Sequence, residues 1–492
     1  MKLISSKTSL PNLIKNHWQI ILIVALAIGI RLIGISDWSL WEDEETSIYF
    51  SHHVDKPFPA TFPIFFLLLK GLYQITGVSI VGGRLLAGAM GVVSIWLIYL
   101  FCRKFFSKNI AILTVLFLAI NLGHLFWSQS IRYYTTVLVF QILSIYFFLD
   151  GFENKKYHAI ILSNLFLVFA ILTHHSAALI VPAMFLYLLV MVVTKQSNGA
   201  YHLKGYLTYI IPLLIILSIF AIKFLRQIQF QGSLESGIIP SARDPIQFMA
   251  RVVAYFGIPI MFLGSLNFFI KNNKLKRILI FSYVIALIPI LELVVITMIN
   301  KQMDLTVANW YYALISLVGF SILASNFLRS FYNKGYRILS ILMGSSALIY
   351  YLFFLAMYFS SMHGGRERWM EATQYLKEVV DVDIHSNYNP EIYATAPGVV
   401  AYYLGINPAE TMGHPMVSRA QFSPPPLNTN NDRWFLIKPN YINTEYAAYF
   451  KKYGVLKRRF DSKIGPFDQW SLLIYHCKGN NEKFLSEQTN KN

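Results

Sequence analysis

Long apolar runs separated by short polar ones fill the first three quarters of the chain. A helix that crosses a bilayer needs about 20 mostly apolar residues. Eleven stretches meet that need: 18–36, 81–101, 109–127, 133–149, 158–174, 176–194, 206–225, 248–270, 278–299, 310–328 and 338–360. A further apolar stretch, 63–76, is short and interrupted by Lys70, so it reads as an interfacial or re-entrant helix. Past residue 360 the texture changes. Residues 366–380 place Trp369, Ala372, Leu376 and Val379–Val380 at a helical period. Short strand-like runs follow at 392–394, 434–437 and 472–475, with helix-like stretches at 397–404 and 443–453 between them. Alternating strands and helices predict a small α/β domain. The expected fold is therefore an α-helical polytopic membrane module of about 11 transmembrane helices over 1–360, with a first external loop at 37–80. An external α/β domain follows at 361–492.

Composition sharpens this. Of 492 residues, 55% are hydrophobic and only 14% charged, where a soluble chain carries about 25% charge. With 16% aromatic residues the chain is also no disordered segment. The net charge of +17 would suggest nucleic acid in a soluble protein. Here it reports topology. With the N-terminus inside, the loops on that side collect nearly the whole excess, against only two acids, Asp150 and Glu153. The expected partners are thus the lipid bilayer and no nucleic acid, and an odd number of spans puts the C-terminus outside. The first span lacks a small-residue cleavage site after it and reads as a retained anchor. Cys102 and Cys477 fall on opposite sides and form no disulfide framework. No internal repeat supports a transporter built on inverted halves.

Chemistry gathers at the outer ends of the spans. The first external loop runs Asp37-Trp-Ser-Leu-Trp41-Glu42-Asp43-Glu44-Glu45, in a chain poor in acids. The simple reading is a solvated cap with Trp38 and Trp41 as interfacial anchors. Crowded carboxylates, however, repel and raise one another's pKa unless a cation or proton is shared. A carboxylate so placed suits a general base or a metal ligand. Between the third and fourth spans stands Ser128-Gln129-Ser130-Ile131-Arg132-Tyr133-Tyr134, where Gln129, Arg132 and Tyr133 fit one helical face. An Arg at this depth either snorkels or holds a phosphate through its planar fork. Arg84 and Lys70 face the same side, so cations and acids gather at one membrane surface. His174 and His175 end the fifth span, His52 and His53 follow the acidic run, and with the carboxylates they are candidate ligands for a divalent metal; the pair His174-His175 is expected to point its rings apart. Glu292 lies inside the ninth span, where a carboxylate is a functional candidate by default or else pairs with an Arg or stays protonated. Arg31 and Arg251 read as near-interface structural cations.

These motifs, in this order, resemble the GT-C glycosyltransferases. The branch is the bacterial family 39 and aminoarabinose-transferase-like group, related to the protein O-mannosyltransferases. Leu40-Trp41-Glu42-Asp43-Glu44 resembles that group's W-x-D-E loop. Thr61-Phe62-Pro63-Ile64 stands where it has [HK]-P-P-[LY], and Gly83-Arg84-Leu85-Leu86 resembles its R-L-L. Ser128 to Tyr134 resembles S-Q-E-A-R-M-Y, Thr173-His174-His175 resembles T-H-Y, and Arg366-Glu-Arg-Trp369 resembles the start of the soluble domain. The resemblance implies an inverting glycosyltransferase that takes a sugar, hexosyl or pentosyl, from a polyprenyl-phosphate donor. Transfer would go to a hydroxyl acceptor, whether lipid, glycan or protein, at the outer face of a bacterial cytoplasmic membrane. It implies Asp43 as the catalytic acid-base residue and Glu44 as the second acid, with Arg132 and Tyr134 on the family's Arg and Tyr; helical spacing favours Tyr133, so both tyrosines stand.

Departures from the pattern matter. Thr61 replaces the family's His or Lys, and Phe62 its first Pro. Phosphate binding then rests on Lys56, Lys70, Arg84 and Arg132. Ser130 replaces a Glu, and Asn309-Trp310-Tyr311 stands where relatives have Arg-Tyr. Gln129, Tyr133, Tyr134, His174 and Glu292 are the candidate substrate contacts. No cofactor is required; a divalent metal on Asp43, Glu44 and His174 stays open. The competing readings are a non-catalytic lipid transporter or an envelope-assembly scaffold.

Overall fold

In the computed structural model the described residues are 10–194, 203–216, 218–219, 245–269, 276–303, 309–360, 364, 366–380, 391–420, 423–425, 432–461 and 471–478. The chain forms two compact units. One comprises Met1–Ile33, Ala60–Phe65 and Arg84–Leu355; the other comprises Gly34–Pro59, Phe66–Gly83 and Ala356–Asn492. In chain order the helices are α1 Leu10–Leu32, α2 Glu42–His52, α3 Pro57–Thr61, α4 Pro63–Thr76, α5 Ile80–Phe105, α6 Lys108–Ile120, α7 Leu122–Ser128, α8 Tyr134–Glu153, α9 Tyr157–Thr173, α10 Ile180–Val193, α11 Leu203–Ile216, α12 Pro245–Phe256, α13 Ile258–Leu266, α14 Lys276–Met303, α15 Leu314–Asn333, α16 Arg337–Ser360, α17 Trp369–Val380, α18 Pro397–Leu404 and α19 Thr444–Tyr453. Short 3₁₀ turns at His175–Leu179 and Trp310–Ala313 lead into α10 and α15.

The first unit is a helical bundle. Six of the expected spans are single helices long and apolar enough to cross a bilayer. Two others are broken: 109–127 is the pair α6 and α7, bent by 62°, and 248–270 is the pair α12 and α13, bent by 90°. The remaining three, at 18–36, 158–174 and 206–225, hold the shorter apolar helices Trp18–Leu32, Tyr157–Thr173 and Leu203–Ile216, with 217 and 220–225 of the last stretch outside the described residues. The stretch 63–76 is a helix, α4.

Both breaks have a polar cause. Asn121 ends α6; its Oδ1 accepts from the His124 N–H at 3.1 Å and caps α7, and its Nδ2 donates to the Phe256 carbonyl at 2.8 Å. The Tyr351 hydroxyl donates to the same carbonyl at 2.7 Å. The main-chain groups freed by one break are thus met by side chains from the other, as apolar surroundings demand. Gly257 sits at the second break with φ +90, and a Cβ there would lie 2.3 Å from the Tyr351 hydroxyl. At the centre of the bundle α15 is buried from Leu314 to Leu328 and packs against α6, α13 and α14. A Cβ on Gly319 would come within 2.7 Å of the Ala286 nitrogen, so a small residue there lets α14 and α15 approach closely.

The second unit contains a five-stranded sheet. Its strands are β1 Glu391–Ala394, β2 Val417–Arg419, β3 Arg433–Ile437, β4 Gly454–Phe460 and β5 Leu472–Cys477, in the order β2-β1-β3-β5-β4. β1 runs parallel to β2 and β3, while β5 is antiparallel to β3 and β4. α19, capped by Asn443, lays Tyr446, Tyr449 and Phe450 on Phe435, Ile437 and Leu473. The strands expected at 392–394, 434–437 and 472–475 are β1, β3 and β5. β2 has only three residues, and β4 is exposed over five successive positions, so neither carries the alternation that marks a half-buried strand.

Replacing Gly257 by Ala should cost more than about 1 kcal/mol, because the backbone there is left-handed and the added methyl meets Tyr351. The melting temperature of the purified protein in detergent would fall; an unchanged melting temperature would contradict this account of the break.

Candidate functional site

Two groups of residues hold the candidate chemistry, one in each unit. In the second unit, the acidic run is the first turn of α2, with Trp41 at the N-cap. Unsatisfied N–H groups at a helix start favour negative charge, which accounts for acids gathering here. Their neighbours complete the account. Glu44 is fully buried and its Oε2 pairs with the Arg366 Nε at 3.4 Å. Arg366 also donates to the Gly364 carbonyl at 2.9 Å and lies over the Trp38 ring, 5.4 Å from its centroid. Glu42 pairs with Arg419 at 2.7 Å on the surface. Glu45 is 3% exposed and accepts from the Thr411 hydroxyl. A Cβ on Gly398 would lie 2.5 Å from a Glu45 oxygen, so Glu45 requires a glycine at that position. Asp43 is half-buried, and its carbonyl accepts from Ser47 at 2.9 Å.

The backbone before α2 is held just as firmly. Leu40 N–H donates to the Tyr403 hydroxyl at 2.6 Å, and Ser39 accepts from the Met370 N–H at 3.0 Å. A cavity of about 550 Å³ opens beside the first turn, lined by Glu42, Glu45, Thr46, Tyr393, His414 and Arg419 among others. Lys56 is exposed, with its ammonium 5.5 Å from the Tyr49 ring; Lys70 is half-buried on α4.

Electrostatics single out Glu45. Burial pushes its carboxyl up to about 7, Glu42 adds to the rise, and the Thr411 hydroxyl pulls against it.

In the first unit, residues 129–133 do not continue a helix. α7 ends at Ser128 and α8 begins at Tyr134. Ser128 and Ser130 donate back to the carbonyls of His124 and Phe126, at 2.6 and 2.7 Å, a local pattern that competes with helix propagation. Gln129 therefore does not share a helical face with Arg132. Its amide donates to the carbonyls of Ile30, Arg31 and Ile33 at 3.3, 3.1 and 2.9 Å, satisfying the end of α1.

Arg132, 8% exposed, donates to the Tyr133 hydroxyl at 2.8 Å, with its guanidinium carbon 4.5 Å from the Tyr133 ring centroid. The Tyr133 ring stacks on His174 at 4.2 Å. Tyr134 packs against Trp127 at 4.4 Å and Tyr311 at 4.7 Å. The rings of His174 and His175 lie together, 3.9 Å between centroids, and Phe62 contacts both at 6.0 and 5.6 Å. The expectation of rings pointing apart fails because His174 is extended, φ −167, and caps the 3₁₀ turn that His175 begins. Arg84 is fully buried. Glu292 lies on α14 just after Pro289, half-buried, and its Oε1 has no hydrogen-bond partner among the described residues.

No local pattern in the sequence reveals the places in this cluster of Trp127, of Tyr312, whose ring centroid lies 5.4 Å from that of His174, or of Phe62. The same holds for His124. Arg31, read as an interface cation, is buried and donates to His124 Nδ1 at 2.8 Å, while Ser94 meets Nε2 at 2.9 Å. Arg can only donate, so this arrangement puts the imidazole proton on Nε2. Among the described residues no three His, Cys, Asp or Glu side chains converge as a metal-holding group, Asp43, Glu44 and His174 included.

Residues 55–222 match the family model described as dolichyl-phosphate-mannose-protein mannosyltransferase. Among curated proteins none matches the sequence. Among solved structures, ArnT from Cupriavidus metallidurans in the apo state gives a TM-score of 0.56 at 12% identity, over 94% of this chain and 98% of that one. The same protein bound to undecaprenyl phosphate gives 0.53 at 11% identity, again over 94% and 98%. The oligosaccharyltransferase of Archaeoglobus fulgidus, in a complex with Zn and sulfate, gives 0.51 at 13% identity, over 89% of this chain and 71% of that one. At such identities the likeness is one of fold.

Glu45 predicts a pH signature. Its carboxyl rises from about 4.5 to about 7 on folding, so the folded state holds the proton more tightly. The associated stability is present in full below about 4.5 and lost as pH rises through about 7, on the order of a few kcal/mol. Glu45→Gln removes the titration. The melting temperature of the variant minus that of the wild type should therefore be larger at pH 8 than at pH 5; a difference independent of pH would contradict the burial of this acid.

Proposed function

We propose that the chain, which shares the fold of ArnT and of the Archaeoglobus fulgidus oligosaccharyltransferase and matches the mannosyltransferase family model over residues 55–222, is a GT-C membrane glycosyltransferase that moves a sugar from a polyprenyl-phosphate donor to a hydroxyl acceptor with inversion at the anomeric carbon. The observation that carries the reading is the pinned first turn of α2. Ion pairs and hydrogen bonds from Glu42, Glu44 and Glu45 fix the backbone that bears Asp43. A reacting group held on a rigid element keeps the productive geometry.

In the proposed reaction Asp43 takes the proton of the acceptor hydroxyl as that oxygen attacks the anomeric carbon. The C–O bond to the donor breaks on the opposite face, and its electron pair leaves with the phosphate. A phosphate departs as an anion, so no second carboxylic acid is needed to protonate it, unlike the alcohol leaving group of a glycosidase. Positive charge then stabilises the departing phosphate. Arg132 is the first assignment, because its guanidinium is oriented by Tyr133; Arg84, Lys70 and Lys56 are further cations in that role. Glu44 is a positioning residue that acts through Arg366. The rings of Tyr133, Tyr134 and His174 supply an apolar, polar-edged wall for donor contact. A polyhydroxylated acceptor suits the cavity beside α2, whose lining mixes carboxylates, hydroxyls and an aromatic ring. The ArnT structure with undecaprenyl phosphate supports the donor class. The positive-inside charge pattern supports an active site on the outer face of a bacterial cytoplasmic membrane.

Transfer of radiolabelled sugar from polyprenyl-phosphate sugars to a membrane extract tests this. Asp43→Asn should lower the rate by roughly 10²–10⁴-fold, the usual worth of a general base, with membrane insertion unchanged. Full turnover by an inserted Asp43→Asn protein would sink the base assignment, and no transfer by the wild-type protein would favour a transporter or scaffold. Arg132→Ala should raise the KM for the donor at least about tenfold; an unchanged KM and rate would remove Arg132 from phosphate recognition.

A further inference from the structure

Two cavities of the first unit share the lining residues Asn109 and Arg329, near the end of α15 away from the Arg132 cluster. α15 makes the connection. The Trp310–Ala313 turn that precedes it belongs to the aromatic cluster, and Arg329 lies near its other end. At about 1.5 Å per residue the two ends are roughly 24 Å apart. There, a polar cavity of about 410 Å³ is lined by Ser107, Lys108, Asn109, Asn326, Arg329 and Asn333 among others, with two cations and no carboxylate among the described residues. Ser107 caps α6, so the positive end of that helix adds to the same field. An apolar groove of about 420 Å³ shares Asn109 and Arg329 with it and runs along α1, α6, α15 and α16 past Ile112, Leu116, Leu328 and Leu348. Arg329 reaches the boundary between the two, its guanidinium carbon 5.5 Å from the ring centroid of Tyr332, a groove residue.

A cationic pocket that shares Asn109 and Arg329 with an adjacent apolar groove is the complement of an anionic amphiphile. One further atom narrows the class. Asn326 is 1% exposed; its Nδ2 donates to Asn267, and its Oδ1 has no hydrogen-bond partner among the described residues. A buried acceptor without a donor is costly, and a bare phosphate ester offers little to it. We propose that this composite cavity binds an anionic glycerophospholipid whose headgroup carries free hydroxyls. The phosphate lies between Lys108 and Arg329, a headgroup hydroxyl donates to Asn326, and one acyl chain occupies the groove. By its distance from the Arg132 cluster the site is separate from the proposed donor site, and it stands whether or not the sugar-transfer reading holds.

The groove offers a clean perturbation. A Cβ on Gly344 of α16 would meet only the Leu328 Cδ1, at 3.7 Å, so Gly344→Phe fills the groove without disturbing the backbone. The full chain in detergent, examined by native mass spectrometry, would be titrated with phosphatidylglycerol and with phosphatidylcholine of the same acyl chains. Inorganic phosphate would be titrated in parallel by thermal shift. Phosphatidylglycerol should be retained at least tenfold better than phosphatidylcholine. That preference should drop tenfold both in Lys108→Gln/Arg329→Gln and in Gly344→Phe, with inorganic phosphate unable to compete at equal concentration. Equal retention of the two lipids would overturn the proposal. So would a Gly344→Phe variant that keeps the wild-type preference, since the site would then hold a free anion and no lipid chain.

Discussion

Glu44 and Arg366 form the buried ion pair on which the second unit is organised. Both side chains are essentially excluded from solvent, at 0% and 1% exposure. Removing charge from water is costly, and a pair so placed is tolerated only when its remaining donors and acceptors are also met. Arg366 meets that condition through the Gly364 carbonyl and the face of Trp38. Trp38 in turn lies against Gly34 and Gly364, both at positive φ, where any Cβ would come within 2.5 Å of the ring. The pair therefore fixes the entry of the chain into α2. Every assignment made for Asp43 depends on that entry.

The first unit obeys a different constraint. In apolar surroundings every freed main-chain group needs a partner, and the bundle meets that need wherever a helix stops. Asn121 and Tyr351 share the Phe256 carbonyl at the two breaks, and Gln129 collects the last carbonyls of α1. The Ser128 and Ser130 hydrogen bonds end α7, and the turn at 129–133 sets Tyr133 on the His174 ring with Arg132 donating to Tyr133. Termination of helices and placement of polar side chains are here the same event.

Much of this was legible in the sequence, and the limits are physical. Helical period and length located the apolar helices of the described residues, though three are shorter than a span, together with the helix at 397–404 and three of the five strands, because those signals are local. The acidic run was legible as unusual, but read as a loop with mutual repulsion. Its partners, Arg366, Thr411 and Arg419, lie more than 300 residues away and leave no local trace. Gln129 was misplaced for a related reason: helical spacing was assumed across serines that in fact end the helix. The closeness of His174 and His175 depends on one extended residue before a 3₁₀ turn, which spacing does not encode.

A double-mutant comparison of the buried pair tests the account most directly, with thermal unfolding of the full chain in detergent as the readout. Arg366→Met leaves Glu44 buried without its counter-charge and should destabilise the protein by about 3–5 kcal/mol. Adding Glu44→Gln should restore most of that loss, because no uncompensated charge remains. A single variant as stable as wild type, or a double variant no better than the single, would contradict the claim that this pair fixes the helix carrying Asp43.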